Sequence, residues 1–232
     1  MVDFNALRTD QIYYCKRPLN LYQSPQAESL VTQVATGRYL QIASTGEATA
    51  IYVTLCEDDY PGWLRCADLD ALIPTRDAYH PPQLSYGEIC DRLPQVIAFC
   101  QAAMATPNEY LWGGTLAPNY DCSGLMQAAF AAAGIWLPRD AYQQETFCQA
   151  IDLKDLMPGD LVFFGTAQKA THVGLYLGNA NYIHSSGKAQ GRNGIGIDRL
   201  SAEGDRVSQT YYAQCRGGGR VVASYQPGQR GW

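Results

Sequence analysis

The sequence predicts two units: a small all-β barrel or sandwich, then an α+β domain with helices on one side of an antiparallel sheet. Three observations predict this. Residues 1–75 break into short runs rich in Val, Ile, Thr and Tyr, punctuated by turn residues, as small barrels do. From residue 85 the apolar spacing turns helical. Strand-like runs then return, and helices followed by strands read as α+β.

In the first unit the strand runs are "SLVTQVATG", "RYLQIAST" and "AIYVTLCE", set apart by the turn signals "QSPQ", "STGE" and "DDYPGW". Residues 76–84 read as a linker, because Pro81 and Pro82 in "RDAYHPPQLS" disfavour helix before them. The second unit spans residues 85–232. In "YGEICDRLPQVIAFCQAAMA", Ile89, Leu93, Val96, Ile97 and Cys100 fall at helical spacing, with Pro94 as an expected kink or boundary. "CSGLMQAAFAAAGI" predicts a second helix with Gly134 as its C-terminal stop. "DLVFF", "HVGLYLG", "NYIHSSG", "TYYAQCRG" and "RVVASY" read as strands.

A chain of 232 residues, 47% hydrophobic and 17% charged, can bury a core without cross-links. Its formal net charge of −5 argues against nucleic acid or an anionic membrane as main partner. The opening MVDFNALRTDQIYYCKR lacks the basic start and apolar run of a leader, and no stretch reaches membrane-spanning length. The expected location is therefore cytoplasmic. The eight cysteines are scattered, with no CxxC pair, so reduced thiols are expected and a structural zinc site is not.

One cysteine stands apart. Cys122, in "NYDCSGLMQAAF", lies at the start of the second helix, where Asp121 or Ser123 can serve as cap. A helix N-terminus favours negative charge and lowers a thiol's pKa. A base would complete a nucleophile. Of three histidines, His80 lies in the linker and reads as solvated, while His172 and His184 share "THVGLYLGNANYIHSSG". His172 alternates with Val173, Leu175 and Leu177, so it faces away from them. A three-residue hairpin loop would pair Gly174 with His184 and put both histidines on one face; a four-residue loop would separate them. Three readings stay open here: a buried small hydrophobe with surface histidines, a Cys–His–His nucleophile, and a zinc site of Cys122, His172 and His184.

An ordered series of motifs then narrows the choice. "YLWGG" precedes "DCSG"; "LPRDAYQQ", "LMPGDLVFF", "HVGLYLG" and "YIHSSG" follow in turn. Together they span nearly all of residues 85–232 and resemble the NlpC family of bacterial cell-wall cysteine peptidases, a papain-like group. The first half, opening with "LNLYQSP" and closing with "GWLRCADL", resembles a bacterial SH3-like domain. The resemblance implies a papain-like catalytic domain behind an SH3-like barrel. It implies Cys122 as nucleophile, His172 as base, His184 as the orienting third member, and Tyr110 beside the oxyanion.

Within that family the domain order is similar to a subgroup of intracellular recycling peptidases. These cleave γ-D-glutamyl–diamino acid bonds in murein tripeptides or tetrapeptides that begin with a free L-Ala. This resemblance implies Asp121, Ser123, Tyr60 and Arg139 as substrate-binding positions, with Glu57, Asp58 and Asp59 as further acids for the substrate ammonium or as a solvated loop. Arg139 and Asp140 also fit a structural role at a helix start, and Ala141 stands where some relatives carry serine. No metal or organic cofactor is expected. The alternatives are an exported lytic endopeptidase acting on intact peptidoglycan, an acyltransferase on the same fold, and a catalytically silent peptide-binding module.

Overall fold

The computed structural model describes residues 7–44 and 49–228. Thr45, Gly46 and Glu47 of the expected "STGE" turn, and the first six residues of the opening segment, lie outside the described residues.

The N-terminal unit is one antiparallel seven-stranded sheet. Its strands are β1 (Ile12–Cys15), β2 (Leu19–Tyr22), β3 (Leu30–Val34), β4 (Tyr39–Ser44), β5 (Ala50–Leu55), β6 (Pro61–Arg65) and β7 (Leu72–Thr75), in the order β3-β2-β6-β5-β4-β1-β7. Alternate residues point inward: Ile51, Val53 and Leu55 of β5 are buried against Leu21, Leu40 and Leu64. That period-two burial is the main stabilising term for strands this short.

Residues 76–85 run outside any helix or strand. Helix α1 (Tyr86–Ala105) starts at a capping box, with Ser85 and Glu88 each accepting from the other's backbone N–H. Pro94 does not end it. A proline costs one backbone hydrogen bond, and Ile89, Val96 and Cys100, buried on both sides of it, hold the helix through packing. The chain continues through β8 (Thr115–Leu116), β9 (Asn119–Tyr120), α2 (Cys122–Ala132), α3 (Ala141–Phe147), β10 (Gln149–Ile151), β11 (Leu161–Gly165), β12 (Ala170–Gly178), β13 (Asn181–Ser186), β14 (Gly194–Arg199), α4 (Arg206–Tyr212) and β15 (Cys215–Arg220). Gly134, at φ +74°, stops α2 as expected.

The second sheet has six strands in the order β10-β15-β11-β12-β13-β14. One face packs on α1 and α2 through Leu125, Met126, Phe130, Val173, Leu175 and Ile183. The other face is covered by α4: Val162, Phe164 and Tyr182 meet Val207 and Tyr211. Helices therefore lie on both faces rather than one. The expected strand "TYYAQCRG" opens as helix through Tyr212 and becomes strand only at Cys215, because Asp205 caps α4 by accepting from the Ser208 N–H at 2.9 Å. The expected strand "RVVASY" leaves the sheet after Arg220. It docks instead on residue 136, with Tyr225 N–H donating to the Trp136 carbonyl (2.8 Å) and Trp136 N–H to Ser224 Oγ (2.9 Å).

The hairpin between β12 and β13 settles the loop parity in an unexpected way. The turn has two residues, Asn179 and Ala180, both left-handed (φ 53° and 59°), and Gly178 pairs with Asn181. A register shift between Tyr176 and Gly178 then leaves Leu177 bulged, so Tyr176 pairs with Tyr182 and Leu175 with Ile183. The extra residue restores the register of a three-residue loop, and continuing it sets Gly174 opposite His184.

Candidate active site

Cys122 is the first residue of α2, and the backbone ahead of it explains the local motif. Gly124 packs so closely that a Cβ there would overlap the Gly114 carbonyl oxygen; "WGG" and "DCSG" are thus stacked backbone on backbone. Gly113, at φ +78°, brings the same loop against the barrel, where a Cβ would lie 2.7 Å from the Leu30 carbonyl oxygen. The junction continues through Thr115 Oγ1, which donates to the Gln33 carbonyl at 2.9 Å.

Asp121 is the cap of α2. Its Oδ1 accepts from the Gly124 N–H (2.6 Å), Arg139 Nη1 (3.2 Å) and Ser123 Oγ (3.4 Å). Its Oδ2 accepts from the Gly113 N–H (2.9 Å) and Arg139 Nη2 (2.6 Å). Arg139 is 1% exposed and reaches back to the barrel, donating from Nε to Thr32 Oγ1 at 3.0 Å and from Nη1 to Ser123 Oγ at 3.0 Å. The side chains of Asp121, Ser123 and Arg139 therefore form one buried network beneath the thiol.

The histidines assemble beside it. His172 on β12 and His184 on β13 are both buried, with His172 Nε2 2.6 Å from His184 Nδ1. His184 Nε2 lies 2.6 Å from Asp198 Oδ2 on β14. Arg192 grips the same carboxylate, Nε on Oδ2 at 3.1 Å and Nη2 on Oδ1 at 2.6 Å. Tyr211 of α4 stacks on the His172 ring at 4.2 Å, its hydroxyl 2.6 Å from Ser186 Oγ. Asp198, Arg192 and Tyr211 carry no motif spacing in the sequence. They reach the site only through the pairing of β13 with β14 and the docking of α4.

The electrostatics differ from the expectation of a thiol activated by the helix N-terminus. Burial, then the nearby Asp121, push the Cys122 thiol up to about 12. Backbone N–H groups of Val173 and Ser123 donate toward the sulfur and oppose that rise, as does Arg139, without cancelling it. Burial, reinforced by His184, drives His172 well below the usual imidazole value. Both groups rest neutral near pH 7. Alkylation of Cys122 in the free protein is therefore expected to quicken about tenfold per pH unit from pH 6 to 9. A rate that stays flat from pH 6 to 9, measured by mass mapping of the Cys122 peptide, would show a resting ion pair instead. Tyr110 is held as a neutral hydroxyl: burial, then Cys122 and Asp121, push its phenol up.

Tyr60 lies where the barrel meets α3, its hydroxyl donating to Asp140 Oδ1 at 3.3 Å. Asp58, Asp59, Tyr60, Asp140 and Tyr142 line a cavity of about 430 Å³ at this junction. The other barrel acids are not a solvated loop. Glu57 and Asp58 are buried and share the Arg38 guanidinium (3.1 and 2.9 Å), and Asp59 accepts from Tyr225 Oη at 3.1 Å. No group of three or more metal-ligating side chains occurs among the described residues. No helix among them is long and apolar enough to cross a membrane.

Residues 107–215 match the NlpC/P60 family, and residues 21–69 match the bacterial dipeptidyl-peptidase SH3 domain. The bifunctional muramidase/DL-endopeptidase CwlT of Bacillus subtilis is 46% identical over 81 residues, 33% of this chain and 25% of that protein. The gamma-D-glutamyl-L-lysine dipeptidyl-peptidase of the same organism is 42% identical over 79 residues, 33% of this chain and 27% of that protein. The matched stretches thus span about a quarter of each relative's length. A crystal structure of an NlpC/P60 family protein from Bacillus cereus superimposes over 92% of this chain and 64% of its own, at 24% identity and a TM-score of 0.46.

Proposed function

From the premise that the chain carries an NlpC/P60 domain behind a bacterial SH3 domain, we propose a cysteine peptidase that cleaves the γ-D-glutamyl–diamino acid bond of murein peptides with a free N-terminal L-Ala. The observation that carries this reading is the Cys122 thiol, reached by the backbone N–H of Val173 next to His172, which is itself held by His184; an acidic cavity walled by Tyr60 of the barrel and Asp140 adjoins Arg139 in the chain.

In this reading Cys122 Sγ attacks the γ-carbonyl of D-Glu as its proton passes to His172 Nδ1, since Nε2 is engaged by His184. The backbone N–H of Cys122 and the neutral Tyr110 hydroxyl donate to the oxyanion. His172 then gives its proton to the departing amine. Water, deprotonated by the same nitrogen, hydrolyses the thioester and releases the thiol. Both protonation changes run through one atom, so no further acid is required.

Selection of the free amine falls to the junction. Asp121 already accepts from five donors, against about four lone-pair directions on a carboxylate, so it acts on substrate through Ser123 and Arg139. Glu57 and Asp58 are committed to Arg38. Asp140, reached by the Tyr60 hydroxyl, offers carboxylate oxygens into the cavity for the ammonium. The gamma-D-glutamyl-L-lysine dipeptidyl-peptidase relative lends support to this substrate class. In this reading the enzyme recycles free peptides in the cytoplasm.

The test offers the enzyme L-Ala-γ-D-Glu-diaminopimelate, its N-acetylated form and whole murein. The free tripeptide is expected to release L-Ala-γ-D-Glu, and acetylation to lower kcat/KM about a hundredfold or more, because a buried carboxylate loses its cation. Equal cleavage of the acetylated peptide would overturn ammonium recognition. Preferred cleavage of intact murein would favour a lytic endopeptidase.

A further inference from the structure

Asp198 lies one hydrogen bond beyond His184 and two beyond His172, and the proposed chemistry so far gives it no part. We propose that Asp198, clamped by Arg192, is a positioning residue that sets the tautomers of both histidines and so decides which nitrogen faces Cys122. The inference rests on the peptidase reading above.

The chain of assignments starts at Arg192, which can only donate. It places three hydrogens toward Asp198 together with His184: Nε and Nη2 of Arg192, and Nε2 of His184. Burial raises the Asp198 pKa, but these hydrogen bonds outweigh it and hold the group below the usual carboxylate range. An ionised carboxylate only accepts. His184 Nε2 therefore carries a hydrogen. Burial keeps the His184 ring neutral despite Asp198, so its Nδ1 is bare and accepts. The 2.6 Å contact then requires the hydrogen on His172 Nε2, which leaves His172 Nδ1 with a lone pair for the thiol proton. Reversed, with His184 donating from Nδ1, His172 would carry its hydrogen on Nδ1 and could not act as base.

The charge matters as well. When the Cys122 proton arrives on His172 Nδ1, the ring becomes a cation in a buried site. The Asp198 charge, relayed through His184, stabilises it, and no proton moves to Asp198. The groups that face this pair are Tyr182 on β13, Tyr211 on α4, Asp198 on β14 and Arg192 before it. Among these four, Arg192 is the cation, and it opposes charge on His184.

Two variants separate the role from a structural one. In Asp198→Asn, 15N NMR of the free enzyme is expected to show the His172 hydrogen moved at least in part from Nε2 to Nδ1, and turnover to fall about ten- to a hundredfold. On the tripeptide, kcat should fall with KM unchanged. A rate within about twofold of the unaltered enzyme would overturn the proposal. Arg192→Gln removes the opposing cation from a partly exposed position, so it decides the matter should Asp198→Asn not fold. Its imidazole titration, followed by the same NMR, is expected to move to higher pH; no shift, or a shift downward, would overturn the proposal. Loss of mere scaffolding would slow both variants alike. The imidazole resonances need no peptide, so the expected changes without peptide turnover would sink the substrate reading and leave this one standing.

Discussion

Cys122→Ala is expected to lower turnover of the tripeptide by at least about 10⁴-fold with the fold unchanged, because a bound peptide is left with a base and no nucleophile. Alanine continues α2, and the Asp121 cap uses the backbone of residue 124, which the change does not touch. The measurement is single-turnover release of L-Ala-γ-D-Glu, with circular dichroism to confirm folding. Residual turnover within about a hundredfold of the unaltered enzyme would remove Cys122 from the mechanism.

Arg139→Met carries the largest expected loss of stability, about 3–5 kcal/mol, or a Tm lower by roughly 10 °C. The guanidinium is 1% exposed and joins Asp121, Ser123 and the barrel's Thr32. Removing it strands the Asp121 carboxylate, 6% exposed, at the start of the nucleophile helix. Pairing Arg139→Met with Asp121→Asn should cost less than the sum of the two, since neither change then leaves a charge unpaired. Denaturant unfolding of the four proteins reads this directly. Costs that simply add would mean the ion pair is not the source of the loss.

Much of the fold was legible because burial imposes a period. Ile51, Val53 and Leu55 alternate, and Ile89, Val96 and Cys100 recur at helical spacing, so strand and helix could be read off directly. The misread segments are those where a short-range signal competed with composition. "TYYAQCRG" is rich in tyrosine, yet its first residues continue a helix started by Asp205. "RVVASY" has strand composition, but past Arg220 its backbone leaves the sheet and docks on residue 136. Pro94 reads as a kink or a boundary, and it is not a boundary, because packing around it lets α1 run through.

Within the site, the sequence by itself determined the chemical inventory: a thiol at a helix start, two histidines on one hairpin, and an acid and a serine flanking the thiol. These residues are close in sequence or belong to contiguous motifs, so local rules suffice to find them. Only the tertiary structure decided how they connect. A bulge at Leu177 brings the two histidines into one register, since one extra residue flips every later side chain to the other face. Strand pairing carries Asp198 to His184, and burial, which no local pattern encodes, overturns the thiol acidity expected from the helix start. Acidity and tautomer depend on solvent exclusion and on partners distant in sequence, and these exist only once the sheet, α4 and the barrel have closed around the site.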